Sequence, residues 1–274
     1  MMRYCFICIF LYGYFVSSGQ DVLWGTNAVE TREDVLKSAL SFERQAFEES
    51  DLSRKGFLLL QKSYCYKKIG DYQSALDILN RVKIPSRDTL NRALKYEKIL
   101  LNYLLGNYQR SFDELLKYRL SQGTSQGEVD GDILILEILN LIGLNKWEEA
   151  KELTLMNADD LGTDSEQVEA FFSGKLKPKN PDKAYTLSLF LPGVGQMYSG
   201  YFLKGVLSGG IQTLLVGFSA YSLHQGYFFT GGMTGVALFY TFYLGGARHA
   251  RELAVAKNKE RAREISLKFM KGVK

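Results

Sequence analysis

The sequence predicts an all-α protein: stacked helical hairpins, then a C-terminal transmembrane helical hairpin entered through a broken helix. Three observations carry this. Between Asp21 and Asp160 the only proline is Pro85, and apolar residues recur at three- and four-residue spacings, the period of amphipathic helices. A turn signature repeats three times along that stretch. Beyond it, 20 residues between Lys183 and Lys204 and 43 between Lys204 and Arg248 carry no Asp, Glu, Lys or Arg.

The elements follow in chain order. Residues 1–19 combine Arg3, an apolar run from Tyr4 to Val16 and the small residues Ser17, Ser18 and Gly19, the layout of a secretory signal peptide, with cleavage expected before Gln20 and an uncleaved anchor as the alternative. Its removal leaves Cys65 as the only cysteine, which excludes an intrachain disulfide and, in an apolar helical stretch, reads as a buried structural thiol. Residues 20–174 form the predicted helical repeat domain. A first helix, Asp34 to Glu49, puts Ala39, Phe42 and Ala46 on one face. The turn signature then appears as Gly70-Asp71-Tyr72 with Ala75, Gly106-Asn107-Tyr108 with Ser111, and Asn145-Lys146-Trp147 with Ala150, its aromatics 36 and then 39 residues apart. A residue tolerant of left-handed backbone ends one helix, the aromatic fills the wedge, and the small residue leaves room for a close crossing.

This pattern resembles the tetratricopeptide repeat, although its periods exceed the usual length of about 34 residues and the second unit keeps few other signature positions. The resemblance implies a solenoid of helical hairpins whose groove binds a peptide or partner protein. With 19 Lys and Arg against 26 Asp and Glu from Gln20 to Gly174, the domain lacks the clustered positive charge that nucleic acid requires.

Residues 175–183 are a basic linker holding Pro178, after which Asn180, Pro181 and Asp182 combine as N-cap, first helical position and first turn. The transmembrane hairpin is expected over 184–247, with spans Gly205–Leu223 and Tyr227–Ala247, each long enough for about 30 Å of hydrocarbon. Tyr185, Tyr198, Tyr201, Tyr221, Tyr227, Tyr240 and Tyr243 lie near the expected interfaces. Gly205 with Gly209, and Gly231 with Gly235, are small-residue pairs that let backbones approach. Both sit near the starts of their helices and cannot face each other in an antiparallel pair. Gly205 and Gly209 are expected to meet the preceding segment.

Ser188-Leu189-Phe190-Leu191-Pro192-Gly193-Val194-Gly195-Gln196-Met197-Tyr198-Ser199-Gly200 is the most specific run in the chain. It is similar to the PGxGQxYxG signature of bacterial two-transmembrane-domain proteins, some with tetratricopeptide-like repeats before it. The resemblance implies a bacterial envelope protein and a topology, without a biochemical role. Pro192 breaks the helix begun at Asn180, Gly193 and Gly195 permit unusual backbone angles, and Gln196 offers a donor and an acceptor where lipid offers neither.

Charge creates a topological conflict. Lys175 to Lys274 holds 14 Lys and Arg against four Asp and Glu, and the expected tail, residues 248–274, nine against three. An exported repeat domain and two crossings would leave that basic tail outside the cytoplasm, against the positive-inside rule; a third crossing by Ala184–Leu203 would reconcile them. The two-span arrangement is the expectation, because Pro192, Gly193, Gly195 and Gln196 make a poor span. The tail is then a basic helix along the outer face of the inner membrane.

The only histidines, His224 and His249, have no ligand or triad partner at useful spacing, and no phosphate loop or nucleophile elbow occurs. The expectation is a protein with no catalytic, metal or cofactor site: an adaptor of the inner membrane, its repeats on the extracytoplasmic side binding an envelope protein or peptide. The alternative makes the hairpin the active part, as an accessory to membrane-protein insertion or as a homo-oligomeric membrane element.

Overall fold

A computed structural model describes residues 31–83, 89–122, 131–174 and 177–273. The expected signal segment, residues 1–19, lies outside them. The described chain is all-helical, without strands, and divides into two compact units: one reaches Ser173 and includes Ser266–Lys274, the other runs from Gly174 to Ile265.

The first unit begins with α1 (Arg32–Glu48), started by a capping box in which Thr31 and Asp34 bond reciprocally, so that two orphan amides of the first turn are satisfied. Val35, Ala39 and Ala46 are its buried positions, while Phe42 is half-buried. Three helical hairpins follow: α2 (Leu52–Lys68) with α3 (Tyr72–Arg81), α4 (Thr89–Leu104) with α5 (Tyr108–Gln122), and α6 (Gly131–Gly143) with α7 (Trp147–Met156). Glu43 of α1 ties the first elements together, meeting Lys62 of α2 at 2.7 Å and Arg81 of α3 at 2.6 Å. Those bonds, Arg81 first, hold its carboxyl below the ordinary carboxylate value.

The three turns are built alike. Gly70, Gly106 and Asn145 adopt φ of +79°, +75° and +62°. In each, the next amide donates five residues back, Asp71 to Tyr66, Asn107 to Asn102 and Lys146 to Leu141, while the left-handed residue's own amide donates three back. This double bond pattern closes the orphan carbonyls at a helix end. Just after the turn, Ala75, Ser111 and Ala150 are wholly buried. Ser63 Oγ donates to Ala75 O at 3.1 Å and Ser111 Oγ to Ile99 O at 2.8 Å, so the first two hairpins are stitched across the same twelve-residue interval. Trp147 is buried with its indole N–H on Ile142 O, and Tyr72 and Tyr108 are half-buried. Cys65 is half-buried rather than sealed in the core, because its stretch of α2 lies beside the turn.

Helix α6 is buried along all ten residues from Ile133 to Ile142, including Glu137, which meets Arg119 at 2.6 Å. A short helix α8 (Ser165–Phe171), capped by Asp164 on Gln167 N, follows α7 where the sequence pattern lapses.

The second unit contains α9 (Pro181–Phe190), the five-residue α10 (Val194–Tyr198), α11 (Phe202–His224), a π-helical segment (Thr230–Val236) and the start of α12 (Ala237–Gly272). The π segment packs against α11, forming a hairpin turned at Gly226. α12 runs unbroken through Arg248, so residues 248–274 are not a separate tail element. Its last residues belong to the first unit, where Phe269, fully buried, packs edge-on against Phe171 with centroids 6.1 Å apart. The apolar residues of this end, Phe269 and Met270, are buried against protein.

Candidate functional site

The candidate site is the helix-break-helix at Pro192 and the elements it touches inside the second unit. It begins at Asn180, whose side chain accepts from Lys183 N at 3.0 Å, with Pro181 at the first helical position where no amide bond is lost. Asn258 of α12 fixes the chain just before it, accepting from Lys179 N and donating to Lys179 O, both at 2.8 Å. α9 then lasts ten residues, about 15 Å, half of what a bilayer's hydrocarbon requires.

The break is a close approach between backbones. Gly193 sits at φ +90° with its Cα against the Gly205 carbonyl, and any Cβ there would overlap it. At Gly195 a Cβ would collide with Ala184 O, and the bare amide instead reaches Ser188 Oγ at 3.1 Å. Ser199 Oγ shares its proton between Gly195 O at 2.8 Å and Ala250 O at 3.1 Å. Tyr243 OH donates to Leu189 O, one of the carbonyls freed as α9 ends. Gly200, at φ +95°, closes α10 with the same double bond pattern as the repeat turns.

Gln196 is buried, donating from Nε2 to Gly246 O at 3.4 Å, while its Oε1 has no hydrogen-bond partner among the described residues. Gln212 on α11 is buried too, its Nε2 on Ser208 Oγ at 3.3 Å and its Oε1 likewise unpartnered. Both amide nitrogens converge on Gly246. The glycine pairs locate close packing as well. Gly205 lies against Gly193 and Met197, Gly209 against Pro192 O, and Gly231 and Gly235 against Leu223 and Ser219 of α11.

Tyr198 and Tyr201 collect the lysines. Tyr198 Oη accepts from Asn180 N at 3.1 Å, and its ring lies 4.7 Å from Lys179 Nζ and 5.6 Å from Lys183 Nζ; Lys204 Nζ stands 4.9 Å from the Tyr201 ring. Arg251 pairs with Asp182 at 2.7 Å. His224 is exposed at the end of α11, and His249 lies 3.8 Å from Glu252.

Sequence reasoning singled out the motif, with Ser188 and Ser199 inside its run but given no role, and did not single out Asn258, Gln212 or Gly246. Ser188 and Ser199 stand seven before and four after Gly195, spacings that mark neighbouring helical turns. Asn258 carried no signal, being one polar residue in a charged stretch. The repeat positions Gly70, Tyr72, Ala75, Gly106, Tyr108, Ser111, Trp147 and Ala150 belong to the first unit. No family model, curated protein or solved structure matches the chain.

Proposed function

We propose that the chain is a non-enzymatic adaptor of the bacterial inner membrane, anchored by a two-span hairpin and holding tetratricopeptide-like repeats on the extracytoplasmic side to bind an envelope protein. The observation that carries the membrane part is α11. Its 23 residues include an 18-residue window of mean hydropathy 1.3, of which only 11% is buried. A core helix of that composition would be covered by protein, as α6 is. Here Leu207, Leu214, Phe218 and their neighbours face outward, where water would penalise them and lipid would not.

Two further observations support two spans over three. The stretch Ala184–Leu203 is divided at Pro192 into pieces of ten and five residues, too short to cross, and the groups freed at the break are bonded within the unit. The C-terminal residues share a compact unit with the repeats, which favours an even number of crossings between them. The three equivalent turns support the repeat reading, from which partner binding follows by analogy of fold. The unpartnered amide oxygens of Gln196 and Gln212 favour a second reading, in which the hairpin is the active part and these groups engage another membrane segment.

A reporter active only in the cytoplasm, fused after Lys274, is expected to be silent, and one active only outside it to be active. The reverse result would overturn the two-span model. Crosslinking in cells tests the adaptor: soluble partners trapped on the repeats support it, and partners trapped only on Gly205–Ala247 would replace it with the second reading.

A further inference from the structure

Resting on the membrane reading above, we infer that the lysines gathered on Tyr198 and Tyr201 form a binding site for the phosphate of an anionic phospholipid headgroup. Between Lys175 and Arg251 the sequence has one acidic residue, Asp182, and it is committed to Arg251. Lys179, Lys183 and Lys204 have no ion pair among the described residues, and their ammonium groups rest on aromatic faces instead. A ring quadrupole attracts a cation without neutralising it, so the positive charge remains available to an anion.

Position selects lipid as the source of that anion. Lys204 is in the first turn of α11, next to the exposed Phe202, Leu203 and Leu207, so its ammonium is at the level where the apolar surface begins. Tyr198 Oη accepts from Asn180 N, and Asn258 holds the Lys179 backbone by two bonds, which places the Tyr198 ring and the base of the Lys179 side chain before any ligand arrives. The opposite end of the hairpin, His224 to Phe229, carries no Lys, Arg, Asp or Glu. The charge is therefore confined to one end, and in the two-span arrangement that end lies outside the cytoplasm. The positive-inside rule does not account for it there, whereas attraction to anionic headgroups does.

The test uses the full chain in nanodiscs or neutral detergent. Fluorescent phosphatidylglycerol is expected to bind about tenfold or more tightly than phosphatidylcholine with the same acyl chains. The K179Q/K183Q/K204Q variant should lose that preference. K259Q/K268Q/K271Q, which removes as much charge from the far part of α12, should keep it. Absence of a preference in the unmodified chain, or its loss in the second variant and not the first, would overturn the assignment. Full displacement of the lipid by millimolar inorganic phosphate at constant ionic strength would also overturn it, reassigning the cluster to free phosphate. Alkaline carbonate extraction separates this from the reading beneath it: release of the chain as soluble protein would remove the membrane anchor, whereas retention without lipid preference removes only this site.

Discussion

Helices α6 and α11 are both rich in apolar residues, and they differ in what covers them. All ten residues from Ile133 to Ile142 are buried, whereas in α11 the buried positions are Gly205, Gln212, Ser219 and Ser222, small or polar, and the large apolar side chains point outward. α6 is a core helix, covered by protein on every side. α11 is inverted, with packing carried by small residues and hydrogen bonds and apolar bulk on the surface, the arrangement a lipid solvent selects. The break at Pro192 belongs to the second logic, because Gly193, Gly195 and Gly205 leave no room for a Cβ.

The sharpest way to break the comparison is therefore Gly195→Val. The new Cβ would meet a backbone carbonyl, Ala184 O, which has no rotamer to retreat into. The expected cost is about 3 kcal/mol or more, read as loss of folded protein or early unfolding in a detergent titration. Near-normal stability would mean that α10 does not sit on α9 as described. The first unit should absorb a comparable insult with less damage. Ala150→Leu overfills a wholly buried site in the third hairpin and is expected to cost about 1–3 kcal/mol, measured by chemical denaturation, with the hairpin of the second unit unaffected.

How much of this contrast was legible follows from the same physics. The three repeat turns were readable because a left-handed residue, an aromatic and a small residue are each demanded by local geometry. The Pro192 motif was readable for the same reason. Helix α8 was missed although Asp164 and Gln167 mark its cap, because seven residues are too few for a periodicity. The continuity of α12 was hidden by its composition, which switches at Arg248 from apolar to charged and suggests a boundary. Ala, Arg, Lys and Glu are all good helix formers, and no proline intervenes, so the backbone continues. The docking of Phe269 on Phe171 depends on residues 98 positions apart and has no local signal.

A finer difference separates the regions in their buried polar groups. Glu137 in α6 is ionisable, and burial raises its carboxyl above the ordinary value of 4.5 while Arg119 pulls the other way. A carboxyl that holds its proton more tightly when folded lowers stability as pH rises from the unfolded value through the folded one. Glu137→Gln removes that titration. Its stability relative to the parent chain should rise between about pH 4.5 and neutrality. A difference that falls with pH would show the Arg119 pair, and not burial, to dominate.

The smallest expected effect tests whether the three repeat turns are equivalent in energy as well as geometry. Asn145 occupies at φ +62° the place that Gly70 and Gly106 fill in the other hairpins. Asn tolerates left-handed backbone better than other residues with a Cβ, but glycine does so without steric cost. Asn145→Gly relieves that cost in the folded state while adding freedom to the unfolded chain. The two nearly offset, and a net gain of about 0.5 kcal/mol or less is expected, visible as a slightly higher denaturation midpoint. A loss of more than about 1 kcal/mol would mean that the asparagine side chain holds this turn, and that the third hairpin is closed by different means from the first two.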